Sequence, residues 1–213
     1  MAGPAIVSDT TSYLPTELTE RHGVQLVSLY VGIEGRQERE SEITDYDDFY
    51  ERLRASGEAV TTSQPSVGDF IAVYEPLLAD GREIVSVHIS AGISGTLEAA
   101  KQAIERLTSD GKGGDRIHTV DSRSAAGGTG MVLLAAMIAA SGGADPEGVV
   151  SQAELARDAG GIWFSLDTLE YLRRGGRIGA ARAAIGSTLK IKPILTFGEE
   201  RLVDCDEVAD RGL

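Results

Sequence analysis

The chain has 213 residues, with 20 Lys and Arg against 33 Asp and Glu and a formal net charge of −13. Apolar residues make up 42% and charged residues 25%, which suits a folded chain of one or two domains and not a disordered one. So acidic a composition argues against general nucleic-acid binding and against electrostatic attachment to anionic membranes. The one cysteine, Cys205, can form neither an internal disulfide nor a cysteine metal cluster, and an unpaired thiol suits the reducing cytoplasm. Met1–Val7 lacks the basic and long apolar stretches of a secretory signal, and the longest apolar run, Met131–Ala140, is far short of the roughly 20 residues of a membrane span. A cytoplasmic location is expected.

In chain order, Ala5–Ser8 is a short apolar strand that ends at the turn formers Asp9-Thr10-Thr11-Ser12. Val24–Val31 is a second strand. Asp45, Asp47 and Asp48 read as a helix start, where acidic side chains complement the helix dipole. Ser66-Val67-Gly68-Asp69 resembles a capping box, followed by Phe70, Val73, Tyr74, Leu77 and Leu78 at helical spacing, with Pro76 expected to kink or shorten that helix. Ile84–Ser90 is a strand alternating apolar and small polar residues. Thr96–Leu107 is a helix with Leu97, Ala100, Ile104 and Leu107 on one face, and Arg116–Asp121 is a further strand. Ala125–Ala140 is apolar nearly all round, the mark of a buried helix. A helix over Pro146–Ala159 follows, with Pro146 at a natural first-turn position.

Strand–helix alternation to this point predicts a parallel sheet covered by helices. Beyond residue 160 the character changes. Gly161–Ser165 is strand-like, Leu169–Arg174 is a short helix stopped by Gly175-Gly176, and Lys190–Phe197 with Arg201–Cys205 predicts a hairpin around Gly198-Glu199-Glu200. The expected organisation is an α/β domain over residues 1–160 and the start of a second domain over 161–213.

Two hydroxyl-rich segments stand out as ligand sites: Thr61-Thr62-Ser63-Gln64-Pro65-Ser66 and Ser90-Ala91-Gly92-Ile93-Ser94-Gly95-Thr96, each directly before a helix. Helix starts leave backbone N–H groups unpaired and favour anions. In a parallel α/β sheet such turns gather at the carboxyl edge, where ligands bind. The plainer reading of either segment alone is ordinary helix capping.

Gly92-Ile93-Ser94-Gly95-Thr96 also approaches the nucleophile elbow G-x-S-x-G, with Thr96 in place of the second Gly. That points to an acyl hydrolase using Ser94. The three histidines, His22, His88 and His118, read as structural or exposed and give it little support. Gly127-Gly128-Thr129-Gly130 departs from a dinucleotide loop, since Leu133 stands where the third Gly belongs, so close helix packing explains it better. No zinc-ligand spacing exists, and neither a metal nor a cofactor is expected. Arg173, Arg174 and Arg177 form a cationic spot on an acidic chain: a charged helix end, or a docking point for an acidic partner in a regulatory or interaction module.

Ser8-Asp9-Thr10-Thr11 to Leu14-Pro15, Thr62-Ser63-Gln64-Pro65-Ser66, Ser90 through Ser94-Gly95-Thr96, Asp121-Ser122, Leu169 to Arg177, and Ile191-Lys192-Pro193-Ile194 occur in an order that resembles the DegV family of bacterial lipid-binding proteins. Thr10 stands where the family usually shows Ser. The resemblance implies a three-layer parallel-sheet domain plus a second α/β domain with a mixed sheet, holding one long-chain fatty acid such as palmitate between the domains. It implies that Thr62 and Ser94 hold the carboxylate, with Ser63 and Gly95 in support. It further implies an acyl carrier, not an enzyme, that presents its lipid to a fatty-acid kinase subunit or an acyltransferase. The family usually continues past the Lys-Pro segment, so the second domain is expected to be incomplete here, either as a natural short form or through truncation of the sequence.

Overall fold

The computed structural model describes residues 3–33, 35–56, 60–178, 193–198 and 202–204. Lys190, Ile191, Lys192, Glu199, Glu200, Arg201 and Cys205, parts of the Lys-Pro segment and of the expected hairpin, lie outside the described residues. The chain divides into two compact units, Met1–Leu29 with Gln64–Gly160, and Tyr30–Ser63 with Gly161–Leu213. One unit ends at Gly160 and the other resumes at Gly161, and Tyr30–Ser63 clusters with the C-terminal segment.

The cause is visible in the run Val24–Val31. It forms not one strand but two, β2 (Gln25–Val27) and β3 (Tyr30–Ile33), which belong to different sheets. In the first unit β1 (Ala5–Asp9) pairs in parallel with β2 and with β6 (Ile84–His88), and β6 pairs in parallel with β7 (Ile117–Asp121), in the order β2-β1-β6-β7. In the second unit β3 pairs antiparallel with β4 (Arg36–Arg39) and β5 (Thr61–Ser63). A second antiparallel set there joins β8 (Trp163–Phe164), β9 (Leu195–Phe197) and β10 (Leu202–Asp204), and β9–β10 is the expected hairpin.

The first unit has three layers. On one face of the sheet, Ala5, Val7 and Ile84 pack with Phe70, Tyr74 and Leu78 of α3 (Val67–Ala79) and with Ala100, Ala103 and Leu107 of α4 (Thr96–Ser109). On the other face, Ile6, Val85, Val87 and Val120 pack with Val132, Leu133, Ala136 and Met137 of α5 (Gly127–Ser141) and with Val149 and Ala153 of α6 (Pro146–Ala159). Strand alternation sends successive residues of β1 and β6 to opposite layers, and both faces of these strands are buried, their polar members Ser8, Asp9, Ser86 and His88 included.

The helix-start signals act as expected. Ser66 caps α3 reciprocally: Asp69 N–H donates to Ser66 Oγ at 3.1 Å and Ser66 N–H to Asp69 Oδ2 at 2.9 Å. Helix α3 runs past Pro76 to Ala79, because a proline this near the end removes only one helical bond. Asp145 caps α6 through Gly148 N–H at 2.9 Å, with Pro146 next. In the second unit, α2 (Tyr46–Ser56) opens with Asp48 N–H donating to Asp45 Oδ1 at 3.0 Å.

In the Gly127–Gly130 segment that opens α5, close packing falls on Gly130. A Cβ at Gly130 would stand 2.8 Å from the Ser12 carbonyl oxygen and 3.0 Å from Leu14 Cδ2. Gly130→Ala is therefore expected to destabilise the protein by about 1–3 kcal/mol through overpacking against backbone. A thermal melt checks this, and an unchanged midpoint contradicts it.

Candidate functional site

The strand order fixes where a ligand belongs in the first unit. From β1 the chain moves to β2 on one side and later returns to place β6 on the other, so the connections diverge between the carboxyl ends of β1 and β6. That divergence is the crevice where open α/β sheets bind ligands. Asp9 ends β1 and His88 ends β6. The turns that follow are Thr10–Ser12 and Ser90–Gly95.

The second turn is held from three directions. Ile89 N–H donates to Asp9 Oδ2 at 3.0 Å, Ser90 N–H to the Ser124 carbonyl at 2.9 Å, and Ala91 N–H to Asp121 Oδ1 at 3.3 Å. Inside the turn, Gly92 N–H donates to Ser90 Oγ at 3.1 Å and Ser94 N–H to the Ser90 carbonyl at 3.1 Å. Ser94 Oγ bonds Thr96 Oγ1 at 2.8 Å and accepts from Thr96 N–H at 3.3 Å. The first intrahelical bond of α4 runs from Ala99 N–H to the Gly95 carbonyl at 3.0 Å, which leaves the N–H groups of Leu97 and Glu98 outside the helical ladder. Ser94 and Gly95 are half-buried. A half-buried hydroxyl beside free N–H groups at the start of a 14-residue helix can receive a carboxylate.

Thr62 is placed differently from its expected setting. It lies in β5, exposed and opposite Val31, and the helix start that follows belongs to Ser66. Of the two expected hydroxyl contacts, Thr62 and Ser94, only Ser94 therefore stands at a helix N-terminus; the strand pairing of Thr61–Ser63 with β3 overrides the turn reading at Thr62. Thr61 Oγ1 lies over Gly32, directly across the sheet. Strand alternation puts Ser63 on that same face and Thr62 on the other, so the hydroxyls of Thr62 and Ser63 point opposite ways. The chain after Thr62 does reach the Ser94 turn within the first unit: a Cβ at Gly95 would stand 3.0 Å from Gln64 Nε2 and 3.1 Å from its Cδ, so the Gln64 carboxamide lies against Gly95.

Beneath the turn is a buried polar chain that the sequence did not announce. Asp9 Oδ2 accepts from His88 Nδ1 at 3.0 Å as well as from Ile89 N–H, and Oδ1 accepts from Thr11 N–H at 3.0 Å and from the Thr11 hydroxyl. His88 Nε2 bonds Ser86 Oγ at 2.7 Å, and Ser86 Oγ bonds the Tyr74 hydroxyl at 2.7 Å. Asp9, Ser86, His88 and Tyr74 have no exposed surface. Burial by itself raises the Asp9 carboxyl, but the adjacent His88 and the Thr11 and Ile89 donors outweigh it and hold it below the usual carboxylate range. Burial pushes the Tyr74 hydroxyl up. The available signal was positional. Ser86 and His88 are two apart on a strand covered on both faces, so both must find partners.

The Ser94 hydroxyl has Thr96 as its partner, and both ring nitrogens of His88 are taken by Asp9 and Ser86, so nothing here favours the hydrolase reading. In α7 (Glu170–Arg174) Arg174 pairs with Glu170, and Arg177 Nη1 donates to the Gly175 carbonyl at 2.6 Å. Two of the three arginines are thus engaged locally. Among the described residues no group of three or more His, Cys, Asp or Glu could hold a metal ion, and no helix is long and apolar enough to cross a membrane.

Comparison with known proteins places the fold. Protein DegV of Bacillus subtilis is 34% identical over 208 residues, which are 97% of this chain and 72% of that protein. A solved structure described as fatty acid binding of a DegV family protein from Thermus thermophilus matches with a TM-score of 0.84 and 37% identity, covering 94% of this chain and 69% of that one. The structure of DegV from Bacillus subtilis, described as a fatty acid binding protein, matches with a TM-score of 0.83 and 32% identity, covering 100% of this chain and 80% of its own. A stearic acid-binding protein from Eubacterium ventriosum matches at 0.82 and 26% identity, covering 94% of this chain and 69% of its own. The family model described as "Uncharacterised protein, DegV family" matches residues 4–211, and the chain belongs to the DegV family.

Proposed function

We propose that this chain binds one long-chain fatty acid, with the carboxylate at the N-terminal turn of α4. The observation that carries the reading is the Ser94 hydroxyl set beside the free Leu97 and Glu98 N–H groups at the divergence of β1 and β6. Relatives described as fatty-acid-binding, 37% and 32% identical, support the ligand class. Thr62 is the second hydroxyl contact; the Gln64 carboxamide against Gly95, two residues further along, supports it. Gly95 contributes through its backbone, and Ser63, whose hydroxyl faces away from that of Thr62, through its backbone N–H.

The energetics suit a carrier. Hydroxyl and N–H donors hold a carboxylate ionised without a buried countercharge. Burying about fifteen methylenes supplies on the order of 12 kcal/mol gross at roughly 0.8 kcal/mol each, before ordering costs. The head-group turn then orients the ligand, and the alkyl chain supplies most of the affinity. In the same reading the protein is a cytoplasmic acyl carrier that presents the carboxylate to a fatty-acid kinase or acyltransferase. Native mass spectrometry of the purified protein tests the ligand class. A complex heavier by one fatty acid, released on denaturation as the free acid, is expected; an unliganded mass before and after incubation with palmitate would overturn the reading.

A further inference from the structure

The buried chain beneath the Ser94 turn has one consistent direction of donation. An ionised carboxylate only accepts, so His88 carries a proton on Nδ1 and donates it to Asp9. With the imidazole neutral, Nε2 accepts from the Ser86 hydroxyl and Ser86 accepts from the Tyr74 hydroxyl, so every proton in the chain has an acceptor. A second proton on Nε2 would leave one of the two hydroxyl protons without an acceptor in this chain, a costly state for a buried donor. Asp9 thereby sets the tautomer of His88 and the order of the hydroxyls beyond it.

The same carboxylate joins both turns at the crevice. Oδ1 takes Thr11, just after β1, and Oδ2 takes Ile89 N–H, directly before Ser90. Asp9 has no exposed surface, so it acts on a ligand only through what it holds. We propose that Asp9 is a positioning residue for the head-group turn: by accepting from Ile89 N–H, His88 Nδ1 and Thr11 at once, it fixes the Ser90–Thr96 turn in the shape that presents Ser94, Leu97 and Glu98 to the carboxylate. This inference rests on the fatty-acid reading of that turn.

The experiment compares two buried variants by palmitate titration. In Asp9→Asn an amide NH2 confronts donors that need an acceptor. In Tyr74→Phe a hydroxyl is lost at the far end of the chain, and the Asp9 contacts stay. Affinity is expected to fall about tenfold or more in Asp9→Asn and to stay within about threefold in Tyr74→Phe, even where urea melts show comparable destabilisation. Equal falls would make the role merely structural and overturn the proposal. Nitrogen-15 NMR of the His88 ring in the unmodified protein needs no variant. A proton on Nδ1 is expected, and a ring protonated on Nε2 alone would overturn the proposal even if Asp9→Asn fails to fold. Unmodified protein that binds no palmitate overturns the ligand reading and this inference with it; unmodified protein that binds, with Asp9→Asn at equal affinity, overturns this inference alone.

Discussion

Asp9→Ala is expected to destabilise the protein by about 3 kcal/mol or more, since each buried donor left without an acceptor costs about 1–3 kcal/mol. The substitution leaves His88 Nδ1, Ile89 N–H and both Thr11 donors facing a cavity with no acceptor. Urea denaturation at pH 7 checks the magnitude, and a loss below about 1 kcal/mol, the worth of one ordinary hydrogen bond, contradicts the network. The pH dependence has a definite sign. The native Asp9 carboxyl lies below its ordinary value, so its contribution is fully present above the unfolded pKa of about 3.9 and is lost as pH falls through the lower native value. Acid titration of stability should therefore be shallower for Asp9→Ala than for the unmodified protein. Parallel curves would place the acid-sensitive group elsewhere.

The second large effect is on the ligand. Removing a hydrogen bond to a charged group costs about 1.5–3 kcal/mol, which is roughly ten- to a hundredfold in Kd. Ser94→Ala alone is expected to weaken palmitate binding by that much, and Thr62→Ala with Ser94→Ala by more. Folding should change by no more than about 2 kcal/mol, because Ser94 gives up a cap-like bond from Thr96 N–H and a hydroxyl pair with Thr96 Oγ1 and Thr62 is exposed on its strand. Calorimetric titration beside a thermal melt separates the two. Equal palmitate affinities in the double variant and the unmodified protein would remove both hydroxyls from the site.

The first unit was legible in the sequence because its signals are local and doubly enforced. The apolar runs of β1, β6 and β7, the Ser66–Asp69 box and Pro146 each act within a few residues. The Ser90–Thr96 turn was legible for the same reason, since a strand followed by a hydroxyl-rich helix start leaves little freedom. Val24–Val31 was not, because an apolar run carries no mark of where it leaves one sheet and enters another. Thr61–Ser63 read as a turn because its pairing partner, Tyr30–Gly32, lies about thirty residues away and contributes nothing to local pattern. The Asp9–His88–Ser86–Tyr74 chain stayed hidden because its partners sit 79, 2 and 12 positions apart. Period-2 alternation also makes Ser86 and His88 look like a solvent-facing stripe until both faces of the sheet are known to be covered.

Titration of the isotopically labelled protein with palmitate, followed by amide NMR, tests the central claim most directly. The account predicts saturation at one equivalent, with the largest shifts at the Gly95, Leu97 and Glu98 amides. Saturable binding that leaves those three amides unmoved would contradict it.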